Sequence, residues 1–197
     1  MNAIGIDIGG TYIKGAVVTP KGDLLDFFTM AVEKGEEPEV TIAKLVTEIK
    51  KINYPSVLGI GIGCPGTVDS ETGVVEFAPN IGWTNIKIKE LIEKEIPLPV
   101  HVTNDANAAA SGEATFGVGK QFQNMVVLTL GTGVGGGLVL NGKLFEGNEG
   151  KGAEIGHMII QMDGRPCGCG RHGCLETYAS ATALIADTKA MMKEHSD

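Results

Sequence analysis

The residues richest in chemistry lie late in a 197-residue chain: His157, then Cys167-Gly168-Cys169-Gly170-Arg171-His172-Gly173-Cys174. One imidazole and three thiolates complete the tetrahedral set by which proteins hold structural zinc. The glycines between them let the backbone fold tightly around an ion. Four protein ligands leave no open coordination position, so this Zn2+ would be structural rather than Lewis-acidic. His172 competes as a ligand, but it lies inside the cysteine loop, and His157 with Cys167, Cys169 and Cys174 closes the set better. The remaining cysteine, Cys64, ends an apolar IGIGCPG stretch and reads as a buried free thiol.

Three further groups could work on a phosphorylated or hydroxylated ligand. Asp7-Ile8-Gly9-Gly10-Thr11 pairs a carboxylate near a strand end with a turn whose N–H groups and hydroxyl can face phosphate; it can equally be a hairpin turn with a solvated aspartate. Gly131-Thr132-Gly133, followed by Gly135-Gly136-Gly137, is as ambiguous alone, and the two in matching contexts reinforce each other. Asn104-Asp105 falls where a strand feeds a helix, a usual place for catalytic groups in α/β proteins. Asp105 could instead simply cap that helix, although Asn104 and Asn107 beside it suggest a polar site. Glu154 and Glu176 flank the cysteine segment and, with the second nitrogen of His157, could accept from the paired hydroxyls of a polyol. They could also be ordinary helix-start acids, and the residues alone do not choose.

Composition narrows the classes. The chain has 43% hydrophobic and 20% charged residues, a globular balance. A net charge of -8 leaves no basic surface to hold a nucleic-acid backbone. No apolar run approaches a membrane span, and MNAIGIDIGG lacks a signal-peptide layout, so neither nucleic acid nor membrane is an expected partner. Clustered cysteines suit metal in a reducing compartment, which points to the cytoplasm. Glycine stands out at 29 residues, roughly twice average usage. Fourteen of these fall between Gly131 and Gly173, and none follows.

The elements that must position these groups follow from the apolar pattern. Strands are expected at Ala3 to Ile8, Ile13 to Val18 and Leu24 to Ala31, then a helix opened by Pro38 and ended by Tyr54-Pro55. A buried strand at Val57 to Gly63 and a loop at PGTVDSETG come next, then a helix over Asn85 to Ile96 and a strand at Val100 to Thr103. That strand runs into an alanine-rich helix starting at Asn104. After Gly119 the pattern restarts with a strand at Met125 to Leu130, a GTGVGGG turn, a strand at Leu138 to Asn141 and an NGK hairpin. IGIDIGGTYIKGAVV and VVLTLGTGVGGGLVL are thus two copies of strand, Gly/Thr turn and strand, suited to clamping a polyphosphate between them. Thr182 to His195 is expected as an amphipathic helix with nothing after it to pack on. The class is α/β, a mixed sheet flanked by helices.

These motifs together resemble the ROK family (repressors, open reading frames, kinases), and within it the bacterial glucokinase-like sugar kinases. The resemblance rests on DIGGT at Asp7–Thr11, GCPG at Gly63–Gly66, NDANAAA at Asn104–Ala110, LGTGVGGG at Leu130–Gly137, EIGH at Glu154–His157 and CGCGRHGCLE at Cys167–Glu176. It covers essentially the whole chain, with Gly152-Ala153 in place of the more usual Ala-Gly order. It implies an actin-like ATPase, ribonuclease H-like fold in two lobes, residues 1–118 and the start of a second lobe at 119–197. It also implies phosphorylation of a hexose 6-hydroxyl by ATP with Asp105 as general base. Asn80, Asn104, Asp105, Glu154, His157 and Glu176 would hold the sugar, with the Pro65-Gly66 backbone closing one side. Asp7 would position Mg2+. Gly9, Gly10, Thr11, Gly131, Thr132 and Gly133 would cradle phosphates, with Lys14 beside them. A homodimer is the expected assembly.

The PNIGW stretch around Asn80 and Trp83 resembles that of the glucokinases, which implies glucose, with fructose, mannose, allose, N-acetylglucosamine and N-acetylmannosamine as alternatives. Family members run longer, so the expectation is a C-terminally truncated chain with a complete sugar side and little of the nucleotide side. A sugar-sensing fragment without catalysis is the competing reading. A ROK repressor would need an N-terminal helix-turn-helix, for which a first strand beginning by Ala3 leaves no room. A zinc-ribbon interaction module would not explain DIGGT, NDAN and LGTG. An ATPase of the actin or heat-shock chaperone kind would share the fold but not the zinc–glutamate signature.

Overall fold

The computed structural model describes residues 1–33, 35–52 and 56–194. Its centre is a five-stranded sheet of β1 (Asn2–Ile8), β2 (Tyr12–Val18), β3 (Leu24–Ala31), β4 (Val57–Cys64) and β8 (Val100–Asn104), ordered β3-β2-β1-β4-β8. The first three strands meander antiparallel, whereas β4 and β8 run parallel to β1. The expected mixed sheet is therefore present. Ile4, Ile6 and Ile8 alternate into the core from β1, as a period of two requires.

Helix α1 (Pro38–Lys51) covers this sheet. Pro38 takes the first helical turn, where its missing N–H costs nothing, and Ile42, Leu45, Val46 and Ile49 form the buried stripe. The expected stop at Tyr54-Pro55 lies outside the described residues. Each fully buried isoleucine or leucine here contributes roughly 1.5–3 kcal/mol over leaving it exposed. The contiguous core draws only on residues up to Val102.

Between β4 and β8 the structure differs from the expected loop and helix. The expected loop after Pro65, the stretch that follows it and the start of the expected helix over Asn85 to Ile96 form a second, antiparallel sheet: β5 (Thr67–Asp69), β6 (Val74–Ala78) and β7 (Trp83–Ile86), followed by a shorter helix α2 (Ile88–Glu93). Trp83, 3% exposed, is the reason. Burying that indole fixes β7 in the pleat and delays the helix until Ile88 and Ile92 can also be buried.

Helix α3 (Asp105–Thr115) follows β8 directly and carries the chain to the third sheet, β9 (Met125–Leu130), β10 (Val134–Leu140) and β11 (Lys143–Phe145). The expected GTGVGGG turn is shorter than its sequence suggests. Only Gly131–Gly133 turn, and Gly135–Gly137 are strand residues. Gly135 and Gly137 are glycines because α3 lies on them: a Cβ at Gly137 would collide with Ala110, and one at Gly135 would stand 2.8 Å from the Cβ of Ala106, whereas a Cβ at Gly136, on the other face, would meet the Ala153 carbonyl and Ile155.

A loop rich in turns leads to α4 (Glu176–Ala179) and α5 (Ala181–Glu194). Leu184, Ile185, Met191 and Met192 on α5 are exposed, as are Val126, Leu128 and Leu130 along β9. His195, the expected last residue of this helix, lies outside the described residues. Among the described residues no helix is long and apolar enough to cross a membrane.

Candidate active site and metal centre

The two strand–turn–strand copies face one another. The hairpins β1–β2 and β9–β10 are both antiparallel, and Gly9-Gly10-Thr11 and Gly131-Thr132-Gly133 line a single cavity of about 710 Å³ with Asp7 and Asp105. Each turn is closed by its own backbone, Gly9 N–H donating to the Tyr12 carbonyl and Gly131 N–H to that of Gly133, both at 3.0 Å. Two N–H-rich turns and two carboxylates on one chamber suit a polyphosphate with a divalent cation. Lys14 is exposed on β2, paired in register with Asp7, and lines neither chamber.

A second chamber of about 540 Å³ adjoins the first and shares Pro65, Gly66, Asn80 and Glu176 with it. Asn104, Glu154 and His157 also line it, so the structure gathers every expected sugar ligand except Asp105 on one wall system. Gly66 has φ +89°, and any side chain there would run into the Phe77 carbonyl, so only glycine lets the β4–β5 turn lie flat on β6. Asn80 sits at the turn between β6 and β7, where Ile81 N–H donates to the Ala78 carbonyl at 3.2 Å.

Asn104 and Asp105 divide their work. Asn104, not Asp105, is the N-cap of α3: its Oδ1 accepts from the N–H groups of Ala106 at 2.9 Å and Asn107 at 3.2 Å. Its Nδ2 donates to the Gly66 carbonyl at 3.0 Å, leaving one amide hydrogen for the sugar-side chamber. Asp105 Oδ1 also accepts the Ala106 N–H, at 2.8 Å, so Ala106 shares its hydrogen between the two side chains, while the Asp105 carboxylate lines the phosphate-side chamber. Although solvent reaches it, the surrounding protein raises its carboxyl above the ordinary value, and the nearby Asp7 charge adds to this. Asn107, counted with the polar site in the sequence, is instead buried in the packing of α3 and faces neither chamber.

The side chains of His157, Cys167, Cys169 and Cys174 offer ligand atoms that all lie within 4.8 Å of one another. Cys167 Sγ is 3.6 Å from His157 Nδ1, and Cys169 Sγ is 3.6 Å from Cys174 Sγ. Zinc–sulfur and zinc–nitrogen bonds of about 2.3 and 2.0 Å give tetrahedral edges of roughly 3.5–3.8 Å. The donor set therefore fits zinc in both chemistry and spacing. His172 is exposed and stands outside the cluster. Burial pushes the Cys169 thiol up, but hydrogen bonds from Arg171 and the neighbouring thiols outweigh it and lower the group to about 6. Burial and those neighbours raise Cys174 to about 11. Cys64 is fully buried, and burial, followed by the charges of Asp105 and Asp7, raises its thiol far above its usual range.

Some residues of the site carry no sequence signal. Lys151, Thr67 and Phe77 line the sugar-side chamber, and Thr129 lines the other. Lys151 stands in a run of glycines and acids, Asn148-Glu149-Gly150-Lys151-Gly152. Only its ion pairs with Glu76 at 3.1 Å and Glu149 at 2.9 Å place it.

The chain is 40% identical over 201 residues to a glucokinase of Halalkalibacterium halodurans, a match spanning 98% of this chain and 61% of that protein. It is 35% identical to the xylose repressor of Bacillus subtilis across 98% of this chain and 51% of the repressor. A ROK family glucokinase from Streptomyces griseus, solved with glucose and AMPPNP, superposes with a TM-score of 0.86 at 40% identity, over 99% of this chain and 62% of that one. The chain thus spans about three-fifths of the glucokinases it matches. The mixed sheet with its flanking helices is the actin-like ATPase fold of the ROK sugar kinases. The sequence profile of the ROK family matches residues 3–196, nearly the full length, and to that family the chain belongs.

Proposed function

We propose that the chain carries the sugar side and the phosphate turns of an ATP-dependent hexose kinase acting on the 6-hydroxyl, with glucose as the leading substrate. The observation that carries this reading is the placement of two consecutive residues: Asn104 lines the sugar-side chamber and Asp105 the phosphate-side chamber. A hexose held by Asn80, Asn104, Glu154, His157 and Glu176 would present its 6-hydroxyl toward Asp105. The Asp105 carboxylate takes the hydroxyl proton as O6 bonds to the γ-phosphorus of ATP and the bond from that phosphorus to the ADP oxygen breaks. A carboxylate raised by burial suits this role, because the alcohol becomes acidic only as it attacks.

Asp7 is the residue to hold Mg2+, directly or through water, and the ion would neutralise phosphate charge. The turns at Gly9–Thr11 and Gly131–Gly133 would cradle the phosphates. Zinc on His157, Cys167, Cys169 and Cys174 would pin the loop that carries Glu176 and fix His157 with its other ring nitrogen free to hydrogen-bond. The division into lobes at residues 118 and 119 belongs to the same proposal, as does a homodimer.

The test is a panel of hexoses with coupled ADP detection. Sugar-dependent ADP formation, greatest with glucose, supports the reading. The xylose repressor match favours a second reading, a sugar-responsive regulator without phosphoryl transfer. Saturable sugar binding with no ADP formation under the same conditions would select it.

A further inference from the structure

Residues 146–154 leave β11 and bring Lys151 and Glu154 to the sugar-side chamber, yet Ala153 is the only apolar residue in the segment besides glycine. Hydrophobic packing cannot fix such a strap, so polar contacts must. Glu146 supplies two of them: its Oε1 accepts from Thr103 Oγ1 at 2.6 Å, and its Oε2 accepts from Ser70 Oγ at 3.1 Å. Thr103, 8% exposed, immediately precedes Asn104 and Asp105, and Ser70 follows β5. Gly152 N–H closes the strap on the Glu146 carbonyl at 2.7 Å, and among the described residues the other side-chain contact from the strap to the rest of the chain is the ion pair of Lys151 with Glu76, whose side chains are 47% and 37% exposed. Exposed ion pairs of this kind contribute little, whereas hydrogen bonds to a half-buried carboxylate are among the strong ones. The anchoring therefore falls mainly on Glu146.

We infer that Glu146 is a positioning residue for the sugar-side chamber, clamping the strap that carries Glu154 and Lys151 to the strand that carries Asn104 and Asp105. The inference rests on reading that chamber as a hexose site, so the test separates the two claims. Amide hydrogen exchange and calorimetric D-glucose binding are measured on the wild-type chain, Glu146→Ala, Glu146→Gln, Thr103→Val and the Glu146→Ala/Thr103→Val pair.

Glu146→Ala should speed exchange selectively over residues 147–154 and weaken glucose binding about tenfold. The double variant should be little worse than Glu146→Ala alone, because both substitutions remove the same bond. Glu146→Gln keeps one acceptor oxygen and should recover part of the affinity. Unchanged strap exchange in Glu146→Ala, or acceleration spread evenly over the whole chain, would overturn the inference. A wild-type chain that binds no glucose overturns the hexose reading instead, and the exchange pattern then decides the role of Glu146 by itself.

Discussion

Glu176 Oε2 accepts the backbone N–H of Val134 at 3.0 Å, joining the short helix after the cysteine loop to the turn that opens β10. One carboxylate thus walls the sugar-side chamber and braces the Gly131–Gly133 turn of the other. A side chain at Gly133 would collide with that carboxylate. Glu176→Ala should therefore weaken sugar and nucleotide binding together, each by about tenfold from one lost charged hydrogen bond. Separate titrations with glucose and a non-hydrolysable ATP analogue check this. Loss on the sugar side alone would show that the brace has no effect on the turn.

The Asp105 carboxyl has a pH signature. Its folded-state value is raised above the ordinary 3.8 by burial and then by Asp7. A raised carboxyl means the folded chain binds more protons than the unfolded one between the two values, so the group costs stability as pH rises through that window. Asp105→Asn should accordingly unfold at a higher temperature than wild type at neutral pH, and this gain should vanish below about pH 3.8. Thermal unfolding across pH reads it directly. In catalysis the sign reverses, since the base works as the carboxylate and turnover should fall as pH drops through the raised value.

How much of this was legible in the sequence depends on the range of the forces involved. The β1–β2 and β9–β10 copies, α1 and the His157/Cys167/Cys169/Cys174 cluster were readable because each is set by local period or by ligand spacing. β7 is not legible because burial of Trp83, a tertiary event, overrides the helical pattern from Asn85, and β5 and β6 are short strands set by pairing with one another and with β7. The Gly135–Gly137 run reads as a turn because glycine serves turns and close packing equally, and only the tertiary neighbours, α3 at Gly135 and Gly137 and the Ala153–Ile155 segment at Gly136, distinguish them. Glu146 and Lys151 belong to no motif, since their partners lie 43 and 75 positions away, at Thr103 and Glu76.

The α3–β10 contact gives a packing prediction. Gly137→Ala places a methyl against Ala110 and 3.0 Å from the Ala106 carbonyl. Overpacking of this kind typically costs about 1–3 kcal/mol. Chemical denaturation should show that loss, and glucose binding should weaken as well because α3 begins at Asp105. A variant as stable as wild type would mean that the sheet and helix separate easily.

For the metal centre, the fit of four donors predicts about one zinc per chain, released when the thiols are blocked with a mercurial reagent. Cys169→Ser should lower zinc content and the unfolding temperature together. Because His157 and Glu176 flank the same loop, stripping the metal should also weaken sugar binding. Elemental analysis beside a glucose titration tests all three. Full affinity in the zinc-free chain would confine the metal to a purely local role.

Asp105 is the group on which the proposed phosphoryl transfer depends. Wild type and Asp105→Asn should be compared for glucose binding by calorimetry and for glucose-dependent ADP formation on the same preparations. The prediction is near-equal glucose affinity, with turnover reduced by about 10²–10⁴-fold in the variant. Turnover retained in Asp105→Asn would rule out Asp105 as the general base.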